Sequence, residues 1–166
     1  MKKLVLAIAM ALSFVLPAFT ITTVSAAEVS ENKELAASVK YWTESFILGF
    51  CKGFTLASGK EVPTEKQAQI VKIADNYAKK TLIPCLQRDN LTAEWIKCQN
   101  DPEVRALNAK VSQCKNFQDL QASLVAANQL MQKKYPNLVK MTQDQEYIKG
   151  YQELFMKIQQ LFLLAE

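Results

Sequence analysis

Apolar side chains recur along most of this chain at steps of three and four residues, the interval at which an α-helix returns to the same face. The first such stretch runs from about Leu35 to Ala57 and closes at Ser58-Gly59, where glycine can take the left-handed conformation of a helix C-cap. Pro63-Thr64-Glu65-Lys66-Gln67 reads as a capping box, Thr64 with Gln67. It opens a second helix through Ile70, Ile73, Ala74 and Tyr77 that stops before Pro84. Between Cys85 and Asn100 the pattern turns polar, with room for one short helix capped by Thr92. Asp101-Pro102-Glu103 is a start signal: an acid at the N-cap, proline at the first helical position, a second acid in the first turn. The helix that follows passes Val104, Leu107, Val111 and Cys114, breaks near Lys115-Asn116, and the period resumes at Leu120, Leu124, Ala127 and Met131 up to Tyr135-Pro136. A last helix opens at Thr142-Gln143-Asp144-Gln145. Tyr147, Tyr151, Leu154, Ile158, Leu161 and Ala165, flanked by Ile148, Phe155 and Phe162, give it a wide buried stripe. The pattern predicts an all-α fold, a compact bundle of about five main helices.

Composition agrees, with only four glycines and five prolines to interrupt helix. The first residues do not belong to the bundle. Met1-Lys2-Lys3, an apolar run from Leu4 to Phe19 broken by Pro17, and the small residues up to Val24-Ser25-Ala26 have the three regions of a cleavable signal peptide. The run is shorter than the roughly 20 residues a membrane helix needs. Residues 1–26 are therefore expected to be removed on export to the periplasm, leaving a single helical domain over 27–166 with a polar, unstructured start at Glu28 to Lys33 and no membrane insertion. Charge is nearly balanced, 20 Lys and Arg against 16 Asp and Glu, with Lys2 and Lys3 in the leader. That balance gives no footprint for nucleic acid.

Four cysteines, Cys51, Cys85, Cys98 and Cys114, fall in the exported part. An even count in an oxidising compartment predicts two disulfides. No pair has the C-x-x-C spacing of a redox, haem or zinc site. Three pairings are open. Helix arithmetic gives a weak preference for Cys85 with Cys98 and Cys51 with Cys114, because a simple hairpin would leave Cys51 and Cys85 roughly 20 Å apart in height.

The chain has no histidine, which removes Ser-His-Asp and Cys-His hydrolases, H-E-x-x-H metalloproteases and His-ligated haem. No cofactor or metal is expected. The stretch YWTESFILGFCKGF, residues 41 to 54, contains a Glu44-Ser45 pair of the kind some muramidases use. The glycine-containing motif that follows it in those enzymes is missing here. Trp42, Phe46, Phe50 and Phe54 recur at helical spacing instead, so this stretch is expected to be core, with Gly49 and Gly53 allowing a neighbouring helix to come close.

With the helices as scaffold, recognition should lie on a connection held by the disulfides. The segment between Cys85 and Cys98 offers Arg88, Asp89 and Asn90, and it carries Trp95, a residue type enriched at binding hot spots. Trp95 has the alternative of folding into the core. The Ser58 to Val62 connection and the Lys133-Lys134-Tyr135 corner are weaker candidates. The alternatives to a binding inhibitor are a periplasmic chaperone or adaptor and, less favoured, a muramidase-type enzyme.

An early FILGFCKGF helix with Gly-x-x-x-Gly and a cysteine, and a later ASLVAANQLMQKKYP helix ending in Tyr135-Pro136, resemble the periplasmic immunity proteins that neutralise type VI secretion amidase effectors. The resemblance spans about two helices. It implies a homodimer that presents a loop to plug the cleft of a protein partner, a cell-wall-degrading effector, and it transfers no individual inhibitory residue. The long fifth helix and the cysteine-bounded insert are departures from that family.

Overall fold

The computed structural model describes residues 27–163, with side chains described from Lys33 onward, so the signal peptide expected over residues 1–26 and Ala165 of the expected last stripe lie outside the described residues. Every described element is a helix. α1 is Ala27–Ser58, α2 Thr64–Tyr77, followed without a break by a π-helical segment Ala78–Leu82 and by α3, Ile83–Arg88. α4 (Thr92–Asn100), α5 (Pro102–Gln113), α6 (Phe117–Lys134), α7 (Pro136–Met141) and α8 (Gln145–Leu163) complete the order. Counting α2 to α3 as one rod gives seven helices among the described residues where five were expected.

The additional helices have local causes. Proline was expected to end the second helix because it has no N–H and its ring collides with the carbonyl four residues earlier. The chain instead widens to π geometry just before Pro84, so that the Ile83 N–H reaches the Ala78 carbonyl, and the helix then runs on to Arg88. α6 ends at Lys134, just before Tyr135-Pro136 as expected, and Pro136 then begins the short α7, since at the first helical positions the missing N–H has no intrahelical partner to lose. The polar start is helical too, from Ala27 onward.

Of the expected N-caps, the one at Asp101 forms and those at Thr64 and Thr92 do not. Asp101 is the N-cap of α5, accepting from the Glu103 and Val104 N–H groups, and Asn116 caps α6 by accepting from Asp119. Thr64 and Thr92 make no capping hydrogen bond. Gln67 instead donates from Nε2 to the Val62 carbonyl at 2.8 Å.

α1 stands between two groups of helices. On one side α2 packs on α1 and on α8, α8 also packs on the π segment and reaches α1 through its rings, and α3 continues the π segment; on the other side lie α4, α5 and α6, with α7 closing against α6. Toward the first group α1 turns Trp42, Phe46 and Phe50, each at most 3% exposed. Their rings stack along the helix and meet Tyr77, Phe155 and Phe162 at centroid distances of 5.5, 5.8 and 6.1 Å. Phe54, half-buried, extends the stack, 4.8 Å from Phe162. Tyr147 and Tyr151 of α8 join through Tyr77, at 6.1 and 5.8 Å. The expectation that residues 41 to 54 are core holds. Each well-placed ring pair contributes about 0.5 to 1.5 kcal/mol beyond the area it buries.

Gly49 and Gly53 are both buried. α8 crosses the π segment closely at Gly150: a Cβ there would overlap the Thr81 side chain. The expected stripe of α8 is right for Tyr147, Leu154, Phe155 and Ile158, but Ile148, at its edge, is 40% exposed.

Candidate functional site

The α3–α4 connection is a corner built by three backbone hydrogen bonds. Asp89 donates to the Cys85 carbonyl, Asn90 to Gln87, and Leu91 to Leu86 at 2.8 Å. The last of these, spanning five residues, requires a left-handed residue just before it. Asn90 supplies it with φ 56°, a conformation that asparagine tolerates better than most side chains. Arg88, Asp89 and Asn90 are all exposed at this turn.

Arg88 is fixed rather than free. Its Nε and one terminal nitrogen grip the two Asp89 carboxylate oxygens at 2.8 and 3.0 Å. The other terminal nitrogen donates to Glu146 at 2.8 Å and to Asp144 at 3.4 Å. Asp144 also caps α8, accepting from the Glu146 N–H at 2.9 Å. One guanidinium thus joins the end of α3 to the start of α8. The hydrogen bonds from Arg88 hold the Asp89 carboxyl below the ordinary carboxylate range, and the same contacts raise the guanidinium further above its already high value.

Of the four expected contact residues, the structure brings Arg88, Asp89 and Asn90 together and separates Trp95. Trp95 lies on the inner face of α4, 7% exposed and part of the core. Sequence reading missed Asp144 and Glu146, the acceptors that immobilise Arg88. Their helix-opening position was legible, but their partner 56 and 58 residues away was not.

The two expected disulfides are absent: Cys51, Cys85, Cys98 and Cys114 are free thiols. Each sulfur is packed into its own patch. Cys51 is half-buried on α1, and Cys85 is buried on α3. Cys98 on α4 faces Met131, Sγ to Sδ 3.4 Å. Cys114, between α5 and α6, donates to the Lys110 carbonyl at 3.3 Å and lies 3.6 Å from Ser123 Oγ. A disulfide needs Cα atoms within about 7 Å and Cβ vectors that converge; helix faces set these vectors, and a count of cysteines does not register them. Burial pushes the Cys51 thiol up to about 11 and the Cys98 thiol up to about 12, so both are poor nucleophiles. The corner at Arg88 is therefore held by ion pairs and a helix cap, not by sulfur.

The Lys133-Lys134-Tyr135 corner is likewise a structural clamp. Lys134 bonds Asp101 at 3.0 Å and Glu103 at 2.6 Å, and the Tyr135 hydroxyl donates to Asp101 at 2.8 Å. Burial alone would raise the Asp101 carboxyl, but the bonds from Tyr135, Lys134 and two backbone N–H groups outweigh it and lower it. Glu44 is exposed on α1, 3.9 Å from Lys40 on the same open face. An open groove of about 450 Å³ runs between α5 and α6 over Leu107 and Leu130. Among the described residues no set of three or more Cys, Asp or Glu side chains gathers as a metal site requires, and no helix is long and apolar enough to cross a membrane.

No family model, curated protein or solved structure matches the chain.

Proposed function

We propose that this protein acts by contact, as an exported binding domain of the inhibitor or immunity type, and that it engages a partner protein through the corner at Arg88, Asp89 and Asn90. The observation that carries this reading is the corner itself. Its hydrogen-bonding side chains are exposed, its turn is closed by three backbone bonds, and its arginine is pinned by the carboxylates of Asp89, Asp144 and Glu146. Such a surface loses little conformational freedom when a partner docks, and pre-organisation of this kind raises affinity. The aromatic residues that would otherwise suggest a ligand cleft are spent in the core. Glu44, which an acid-catalysed reaction on cell-wall sugar would need in a cleft that raises its pKa, stands on an open helix face.

The test is affinity capture from periplasmic extract with the leaderless chain and two variants. Asn90→Gly keeps the left-handed turn and deletes the side chain, and Asp89→Ala removes the exposed carboxylate. The wild type should retain one partner in stoichiometric amount, and each variant should weaken it at least tenfold. A broad set of unfolded clients, held equally by all three chains, would instead mark a chaperone.

A further inference from the structure

After α3 the chain leaves its first group of helices and later returns to it. Residues 89–91 lead from α3 into α4, and residues 142–144 lead from α7 back to α8, so α4 to α7 form one continuous insertion over residues 92–141. The insertion is tied to itself: Lys134 and Tyr135 hold Asp101, Asn137 donates to Glu94, and Cys98 faces Met131. Its main packing on the rest of the chain is on α1, with α3 beside the first crossing. The side-chain hydrogen bonds and ion pairs of α1 stay within it, reach the turn after it, or go to Asp75 of α2. Among the described residues none crosses from α1 to α4, α5, α6 or α7. The two crossings also lie side by side, because Arg88 holds Asp89 of the first at 2.8 Å and Asp144 of the second at 3.4 Å.

We propose that α4 to α7 swing as one unit on this two-stranded hinge, parting from α1 along the face of Ser38, Tyr41 and Ser45, while α1, α2, α3 and α8 stay closed on their shared rings. Hinges of this kind place the backbone change in a few connecting residues, and here both connections run through one corner. Little holds the seam shut. Two of the three α1 side chains on it are serines, and the polar contact across it is the Arg105 guanidinium over the Tyr41 ring, 5.0 Å from its centre. The Tyr41 hydroxyl and the Gln99 and Asn108 amides find no protein partner while the seam is closed, and all three reach water when it parts. That gain offsets part of the packing lost. A polar contact surface between two parts of a chain permits relative motion, whereas a large apolar one resists it. On its other face α1 is committed to the ring stack of Trp42, Phe46 and Phe50 with Tyr77, Phe155 and Phe162.

The hinge goes beyond the partner-binding reading and is tested on the free leaderless chain. Thr43 and Ser45, 3 and 1% exposed, lie two residues apart on opposite faces of α1, Thr43 against Asp75 and Ser45 on the seam. Melting of α1 would expose both; parting of the seam exposes only Ser45. Each is changed to cysteine, and trapping by a thiol reagent is followed at that residue by mass spectrometry, relative to the unfolded chain, at urea concentrations below the unfolding transition. Ser45→Cys should react at least about tenfold faster than Thr43→Cys and depend little on urea, since parting of intact helices exposes little surface. Thr43→Cys should accelerate steeply with urea, as global unfolding does. Arg88→Met, which unfastens the two crossings, should speed trapping of Ser45→Cys several-fold, and Gln99→Leu, which makes the seam more apolar, should slow it. Should Ser45→Cys alter the circular dichroism spectrum, Ser38→Cys on the same face takes its place. Equal rates with equal urea dependence at the two positions would show that the chain opens only as a whole and would overturn the proposal. So would a fast Ser45→Cys rate that neither Arg88→Met nor Gln99→Leu changes. No partner enters these measurements, so a failure here and a failure of partner capture are separate results.

Discussion

The two sides of α1 are built on different chemistry. Toward α2 and α8 it presents Trp42, Phe46 and Phe50, and a continuous run of rings fills the space. Toward α4 and α5 it presents Tyr41, with Ser38 and Ser45 at helical spacing on the same face, all at most 6% exposed. The Arg105 guanidinium lies 5.0 Å from the Tyr41 ring centre, and across this seam sit Gln99 and Asn108, 1 and 2% exposed. Ser45 satisfies itself on the Tyr41 carbonyl at 2.6 Å. The side-chain amides of Gln99 and Asn108, the Tyr41 hydroxyl and the Trp95 indole N–H have no hydrogen-bond partner among the described protein groups. Each such group costs on the order of 1 to 3 kcal/mol. One helix therefore carries a strongly cohesive face and a weakly cohesive one. The second half compensates at its rim, through the clamp of Asp101, Glu103, Lys134 and Tyr135.

This contrast orders the expected effects of mutation. Phe46→Ala removes the ring in contact with Trp42, Phe50 and Phe155 and should cost about 3 to 5 kcal/mol in denaturant unfolding, close to the whole stability of many domains. Asp101→Ala takes away a helix cap and the acceptor for Lys134 and Tyr135, and should cost about 1 to 2 kcal/mol. Its pH dependence has a fixed sign. Because the folded Asp101 carboxyl is held below its unfolded value, the contribution is fully present above the ordinary carboxylate range and is lost as pH falls through the lowered folded value. Wild type should thus lose stability on acidification more steeply than Asp101→Ala, as thermal melts at several pH values would record. Gln99→Leu replaces an unpartnered buried amide by an apolar group of similar size and should be neutral or stabilising by up to about 1 kcal/mol. A loss above about 2 kcal/mol would show that the Gln99 amide has hydrogen-bond partners in the folded protein. The smallest effect is on thiol chemistry. The native protein should give almost no rapid reaction with a thiol reagent at mildly alkaline pH, and the unfolded, unreduced chain should give four equivalents.

What the sequence makes legible follows from how local each cause is. The aromatic face of α1 and the start of α5 at Asp101-Pro102-Glu103 depend on residues within a turn or two, and both are as read. The passage of helix through Pro84 depends on a π turn that no residue type announces. The cysteines look paired by number and separate by geometry, since pairing is decided by which helix faces meet. Ile148 continues an apolar period in sequence but lies on the outer edge of α8, because periodicity marks a stripe without showing how wide the buried part is. At the candidate site, Arg88, Asp89 and Asn90 were legible as a polar break. Their rigidity was not, because it comes from Asp144 and Glu146 across the fold, and Trp95 was drawn inward by the core it helps to fill.

The proposal that this protein works through its Arg88 corner is tested most directly by hydrogen exchange on the captured complex. Amides from about residue 87 to 92 and from about 144 to 147 should slow when the partner binds, while the α5–α6 groove and the outer edge of α8 exchange as in the free chain. Protection centred on the groove, with the corner exchanging at its free rate, would contradict it.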